Sequence, residues 1–317
     1  MDYITKTNTI IFNSEFNNEL DFALISLYAK LIFSDYELND RLFESYSNGE
    51  FNAFKYIGNK FNKDVSNLPP SLILINFGHS FNQNVFKLPN GITHLTFGVC
   101  FNQDVSNLPS SLTHLSFGWN FNQDVSNLPP SLTHLSFSWN FNQDVSNLPP
   151  SLTHLSFGNN FNQNISKLPL GITHLTLDRE FIQHYDIPPN VQYLKLNCNN
   201  QYIINSLPNS IVELELGYKF SLEMNNLPTS IKKLKISNDC ENQKFNLILG
   251  YDYNKNLNCL PDFVEELYLN SRYSKRILKI PPNLKKLICH KDYPYKNDFT
   301  MCDVETYTDY VNYMYRL

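Results

Sequence analysis

From about Phe51 nearly to the C-terminus, one pattern of apolar and polar positions returns at a constant interval. Phe61, Phe81, Phe101, Phe121, Phe141, Phe161 and Phe181 are evenly spaced, and six of them open a Phe-Asn pair. Leu-Pro recurs at 68, 88, 108, 128, 148, 168, 207, 227 and 260, and Ile-Pro replaces it at 187 and 280, which gives eleven units. The clearest unit reads Phe121-Asn-Gln-Asp-Val-Ser-Asn-Leu-Pro-Pro-Ser-Leu-Thr-His-Leu-Ser-Phe-Ser-Trp-Asn140. Within a unit, Leu112-x-x-Leu115-x-Phe117 predicts a short strand, because alternation sends Leu115 and Phe117 to one face and His114 and Ser116 to the other. Proline cannot donate to a strand ladder and so belongs just before that strand. The Asn, Asp and Ser positions between Phe121 and Leu128 predict a turning, non-helical return segment.

One such unit cannot bury its Leu, Phe and Val side chains alone, whereas stacked units share a continuous core. Strands about 4.8 Å apart would form a parallel sheet, and eleven of them would extend about 50 Å. A unit this short leaves no room for a full helix on the return side. The predicted fold is a leucine-rich-repeat-like solenoid: a right-handed stack with a parallel β-sheet on its concave side, an extended or 3-10 convex side, and a small helical N-terminal cap. The strict column Asn62, Asn82, Asn102, Asn122, Asn142, Asn162 predicts a buried amide ladder that satisfies backbone groups from turn to turn.

The ends depart from the repeat. Residues 1–50 show Leu20, Leu24 and Leu27 at helical spacing, predicting a helix over Glu19–Phe33. A second helix is expected over Glu37–Tyr46, stopped by Ser47-Asn48-Gly49. Exposed solenoid ends need caps, so the division is 1–50 as N-terminal cap, 51–290 as the repeat stack and 291–317 as C-terminal cap. One unit loses a residue before Ile187, and about 13 extra residues near 238–259 predict a bulging loop.

The Phe-Asn, Leu-Pro-x-Ser-Leu and Leu-x-Phe-Gly pieces closely resemble the FNIP repeat family, found in social amoebae and in giant viruses that infect amoebae. Asp64, Asp104, Asp124 and Asp144 stand where that family often carries proline. The Leu-Pro-Pro-x-Leu-x-x-Leu spacing is also similar to the short leucine-rich repeats of bacterial effectors. The resemblance implies protein interaction, with no enzymatic activity attached to the repeat. It further implies that residues 1–50 could be a degenerate F-box-like segment docking a ubiquitin-ligase adaptor, although the Leu-Pro opening usual in an F-box is missing.

Composition narrows the function classes. Charged residues are 17% of the chain with a net charge of −5, and no basic run marks a nucleic-acid surface. The longest apolar segment, Phe22–Phe33, is interrupted by Ser26 and Lys30 and is too short to span a bilayer. Met1-Asp2-Tyr3-Ile4 lacks the basic region of a signal peptide. Six cysteines without a Cys-x-x-Cys pair or zinc-like spacing fit a reducing compartment. The expected location is the cytoplasm, that of the host if the chain is viral. Three alanines and five arginines against 24 Phe and 19 Tyr read as an A/T-rich genome.

The column His94, His114, His134, His154, His174 should stand on the outward sheet face. It reads either as a solvated column copied with the repeat or as a recognition, pH-sensing or metal ladder; the lack of neighbouring carboxylates weakens the metal reading. Beyond about residue 190 the same column becomes Tyr193, Glu213, Lys233, Glu266 and Lys286, a varied face better able to discriminate partners. Trp119 and Trp139, one turn apart, could anchor a partner or pack on neighbouring turns. The candidate partner-binding residues are therefore the five histidines, both tryptophans, Tyr193, Glu213 and Lys233. Repeated aspartates cannot supply the unlike environments that an acid and a base require, and no phosphate loop or hydrolase motif occurs. No catalytic residue, cofactor or metal is expected. The function expected is a non-enzymatic protein-protein interaction scaffold. The alternatives are the substrate receptor of an F-box-type ubiquitin ligase and, further off, an enzyme using the non-repeat segments.

Overall fold

In the computed structural model, the described residues are 2–38, 42, 45–46, 56–217, 222, 227–236, 254–258, 260, 262 and 264–308. They form two compact units, residues 1–161 and 162–317.

In the first unit, strands β1 (Tyr3–Lys6) and β2 (Thr9–Phe12) make an antiparallel hairpin. From β2 onward every strand is parallel to the next: β3 (Lys30–Phe33), β4 (Leu74–Asn76), β5 (His94–Thr96), β6 (His114–Ser116), β7 (His134–Ser136) and β8 (His154–Ser156). Registers such as His114↔His134 and Leu115↔Leu135 pair each residue with its copy one turn on. Leu115 and Phe117 are buried and His114 and Ser116 half-exposed, as the alternation predicts.

Two phenylalanine columns fill the interior. Phe117, just past β6, lies 3.7 Å from Phe121 four residues on, ring planes 8° apart. The rings just past the strands, Phe97, Phe117 and Phe137, follow one another at 5.6 Å, and the turn rings Phe101, Phe121 and Phe141 at 6.1 Å. All are at most 3% exposed. Each repeated polar residue also has a bond to make. The Leu112 N–H donates to the Pro109 carbonyl at 3.1 Å, an i to i+3 turn of 3-10 type that carries the chain into the strand. The Ser131 hydroxyl reaches the previous turn's carbonyls of Ser110 and Leu112 at 2.6 and 2.7 Å.

The helix predicted over Glu19–Phe33 is confined to α1 (Phe22–Ile25), capped by the Asp21 carboxylate, and Lys30–Phe33 is strand β3. Leu31-Ile32-Phe33 pairs with Ile10-Ile11-Phe12, and that strand pairing overrides the local helical spacing. Phe12–Phe16 at 4.2 Å and Phe33–Phe61 at 4.0 Å extend the phenylalanine columns into this segment. Half of the second predicted helix and most of the 238–259 insertion lie outside the described residues; within the former, Leu42, Ser45 and Tyr46 are helical and Leu42 packs with Ile11 and Ile32.

The second unit is parallel throughout: β9 (His174–Leu177), β10 (Tyr193–Leu196), β11 (Glu213–Leu216), β12 (Lys233–Ile236), β13 (Glu266–Tyr268) and β14 (Lys286–His290). A short helix α2 (Gln201–Asn205) replaces one return turn. Where a cap was expected, a 3-10 turn (Lys296–Asp298) leads to β15 (Asp303–Tyr307), which pairs in parallel with β14.

Truncating one ring of the interior columns removes its contacts with both neighbouring turns. Phe117→Ala should lower the unfolding free energy by about 3–5 kcal/mol, measured by urea denaturation of the full chain. A loss below about 1 kcal/mol, the size of an Ile→Val change, would mean that the column can collapse around the gap.

Candidate functional site

The outward sheet face of the first unit carries the histidine column as a stack of near-parallel rings. His94–His114, His114–His134 and His134–His154 have ring centroids 4.2, 4.1 and 4.1 Å apart, with planes within 13° of parallel. Each ring is fixed from behind. Thr93, Thr113, Thr133 and Thr153 place their hydroxyls 2.8–2.9 Å from Nδ1 of the next residue. The same hydroxyls lie 3.1–3.2 Å from a carbonyl of the previous turn. Thr113 thereby sets the rotation of His114, a role for the Leu-Thr-His triplet that alternation alone does not reveal.

Stacked rings exclude water from each other's faces. The His114 ring is pushed down to about 4, first by desolvation and then by repulsion from His94 and His134. Desolvation and Lys30 also lower His94. The stacked rings lie side by side rather than converging on one point. Among the described residues no group of three or more His, Cys, Asp or Glu is placed to hold a metal ion. Trp119 and Trp139 lie just past the strands, half-buried, with ring centroids 5.5 Å apart and planes tilted by 32°.

In the second unit His174 stacks on Tyr193 at 5.5 Å, and its Nδ1 meets the Thr173 hydroxyl at 3.0 Å. Beyond them the charges pair with one another. Successive strands alternate in sign, from Glu213 and Glu215 on β11 to Lys233 and Lys235 on β12, Glu266 on β13, Lys286 on β14 and Glu305 on β15. Lys233 lies 3.4 Å from Glu213 and 3.9 Å from Glu266, and Lys286 lies 2.8 Å from Glu305. The innermost members are buried: Lys195 is 8% and Glu215 4% exposed. Glu215 meets Lys195 at 2.9 Å and Lys235 at 3.3 Å, and accepts the Tyr193 hydroxyl at 3.0 Å. Burial pushes the Glu215 carboxyl up, but Lys195 and Lys235 outweigh it and hold the group below the ordinary carboxylate range. Tyr193, Glu213 and Lys233 thus lie in an internally paired network.

The return side accounts for the remaining columns. The Asn102 side-chain oxygen accepts the Asn122 N–H at 2.9 Å and the Gln123 amide at 3.1 Å, and the Asn122 oxygen repeats both bonds with the next turn. The expected amide ladder exists, but its members are half-buried or exposed rather than buried, because the bonded edge faces the neighbouring turn and the other faces outward. Asp124 accepts the Ser126 N–H at 3.0 Å and its hydroxyl at 2.7 Å, a local turn that lowers the carboxyl below its usual range. The free thiols among the described residues are Cys100, Cys198, Cys289 and Cys302. Burial pushes the Cys198 thiol up to about 12.

Two measurements follow from these groups. In the unfolded chain His114 binds its proton near the ordinary 6.5, whereas in the fold it does so only near 4. Its contribution to stability is therefore present above about 6.5, falls as the pH drops from there to about 4, and is flat below. Urea midpoints measured against pH should show this decline, and His114→Gln should reduce it; an unchanged profile would refute the assignment. Glu215→Gln leaves two lysines without their shared carboxylate and should cost about 3–5 kcal/mol in the same assay, whereas the exposed-pair change Lys285→Gln should cost under about 1 kcal/mol.

The FNIP Repeat model matches residues 81–118, 101–138, 121–160, 141–177 and 182–219. Among curated proteins none matches the chain. Among solved structures, CroV588, a novel circular leucine-rich-repeat protein, is 32% identical with a TM-score of 0.63. The similarity covers 91% of this chain and 48% of that one, so this chain spans about half the length of CroV588. InlJ of Listeria monocytogenes is 14% identical with a TM-score of 0.47, over 94% of this chain and 68% of that one. YopM of Yersinia enterocolitica is 20% identical with a TM-score of 0.41, over 73% and 63%. The turns stacked on their phenylalanine columns are FNIP repeats, and the chain belongs to the FNIP repeat family with a leucine-rich-repeat-like solenoid fold.

Proposed function

We propose that the protein is a non-enzymatic binding scaffold that holds a protein partner on the outward sheet face of its first unit. The observation that carries this reading is the contrast between the two sheet faces. On the second unit the charged side chains pair with each other across strands. Across β5 to β8 of the first, the outward columns are histidine, serine and threonine with no carboxylate or lysine among them, bordered by two half-exposed tryptophans. Rigid aromatic groups that lose little entropy on contact are the usual anchors of a protein interface. The fixed histidine rings supply hydrogen-bonding edges at a repeat of one strand. Glu213 and Lys233, which the sequence offers as partner-binding residues, act in this reading to keep the turns in order.

For residues 1–50 the reading favours closing the stack over docking a ligase adaptor. Phe12, Phe16 and Phe33 join the interior columns and are buried, so they are not available to a second protein. No helix among the described residues is long and apolar enough to cross a membrane.

The test uses the full chain as bait in amoeba lysate, read by mass spectrometry, beside the double variant Trp119→Ala/Trp139→Ala and the control Glu213→Gln/Lys233→Gln. Loss of a tryptophan anchor costs about 2 kcal/mol or more, so capture of the partner should fall at least tenfold with the first variant and stay level with the control. Equal capture by the tryptophan variant would sink the sheet-face reading. Recovery of an F-box adaptor and a cullin would favour the ligase receptor instead.

A further inference from the structure

Most return turns of the stack share the same chemistry; the one that begins at Phe181 does not. Where other units read Phe-Asn-Gln-Asp-Val-Ser-Asn-Leu-Pro, this one reads Phe181-Ile-Gln-His-Tyr-Asp-Ile-Pro188, one residue shorter. Ile182 replaces the ladder asparagine, and His184 replaces the aspartate that caps the local turn. The preceding unit departs as well, with Leu170 where Pro130 and Pro150 stand. The turn that follows is replaced by α2, which brings in Tyr202. Of these departures Leu170, His184 and Tyr202 line one cavity of about 310 Å³, with Leu170, Ile187 and Pro188 on its apolar side and His184, Asp186 and Tyr202 on its polar side.

The polar side is organised. The Tyr202 ring stacks on His184 at 5.1 Å, planes 20° apart. Its hydroxyl donates to Asp186 Oδ1 at 3.0 Å. That bond orients the carboxylate and leaves Oδ2 without a bonded partner among the described residues. It also raises the phenol above its ordinary range, so the hydroxyl stays a donor. Asp186 forms no ion pair among the described residues, and neither does Lys167 on the rim between two lining residues. Leu170 and Ile182 are 65% and 64% exposed, unusual for large apolar side chains in a stack whose other apolar columns are buried.

We propose that this return-side cavity binds an extended peptide of a partner protein through one cationic side chain flanked by an apolar one. The cation pairs with Asp186 beside the Tyr202 and His184 rings, and the apolar residue covers Leu170, Ile187 and Pro188. Charge complementarity selects this occupant, because the lining holds one carboxylate, Asp186, and no lysine or arginine. Size agrees: ligand sites run from about 300 to 1,000 Å³, and the lower end holds one or two side chains. The site is separate from the sheet face, so it stands or falls independently of the partner surface proposed there.

The experiment is ligand-observed saturation-transfer NMR on the full chain with acetyl-Leu-Arg-Leu-amide and its Gln and Glu counterparts. The Arg peptide should bind at least tenfold more tightly than the Gln peptide, and the Glu peptide least. Asp186→Asn should bring the Arg peptide to the level of the Gln peptide, and Leu170→Ser should weaken both by a few-fold. Lys167→Ala and the Trp119→Ala/Trp139→Ala variant should leave all three unchanged. Circular dichroism and urea midpoints check that each variant is folded. Equal binding of Arg and Gln peptides, indifference to Asp186→Asn in a folded variant, or no transfer to any peptide at millimolar concentration would overturn the proposal. Concentration-dependent self-association abolished by Leu170→Ser would overturn it in favour of a second copy as occupant.

Discussion

A single turn of the stack has no interior of its own, so each buried side chain is completed by its copy one turn away. The two phenylalanine columns are the clearest product of that constraint. A ring such as Phe117 is covered on one side by Phe121, four residues on, and above and below by Phe97 and Phe137. Removing one ring exposes surface on three others, which is why the same residue recurs there instead of a mixture of apolar types.

The polar columns obey the same rule through hydrogen bonds. In an irregular return segment the backbone N–H groups lack the regular ladder of a strand, and unpaired ones are costly when water is excluded. Asparagine solves this between turns, since its side-chain oxygen accepts the next turn's N–H. Aspartate solves it within a turn, at Ser106 and Ser126. Serine after the proline returns a hydroxyl to the previous turn. With these bonds made, the repeated carboxylates and amides need no further chemical role.

How much of this was legible depended on whether a residue's partner lay at a fixed interval. The eleven repeat strands and the inward and outward faces followed from the recurring Leu-Pro or Ile-Pro and a strict alternation. The strands before them were hidden behind Leu20, Leu24 and Leu27, which match a helix although Leu27 is 71% exposed. A usable signal was present in Phe12-x-x-x-Phe16-Asn17, the same spacing as Phe77-x-x-x-Phe81-Asn82, and the Asn17 oxygen does accept the Asn62 N–H at 3.0 Å. The cavity beside Tyr202 left a weaker trace, a single lost residue before Ile187. Its partners come from three successive turns, one of which has been rebuilt as a helix, so no interval in the sequence links them.

The ion pairs show what happens when the fixed interval fails. In the first unit β6, β7 and β8 all read His-Leu-Ser, and no side chain on the strands tells one turn from the next. There the covalent length sets the order, because skipping a turn would loop out a whole repeat and strip a phenylalanine pair of its cover. Between β12 and β13 that length is no longer constant: Lys233 pairs in register with Glu266, on the far side of the insertion. The alternating charges lie on this part of the sheet, and Lys233–Glu266 and Lys232–Glu265, both at 3.9 Å, span the insertion. A strand that met the wrong neighbour would set acid against acid or base against base, which is unfavourable for directly opposed cross-strand residues. Each exposed pair stabilises weakly on its own, but mispairing is opposed at every strand of the series, and the buried Glu215 raises the penalty most. Charge thus takes over the specification of order where chain length can no longer provide it.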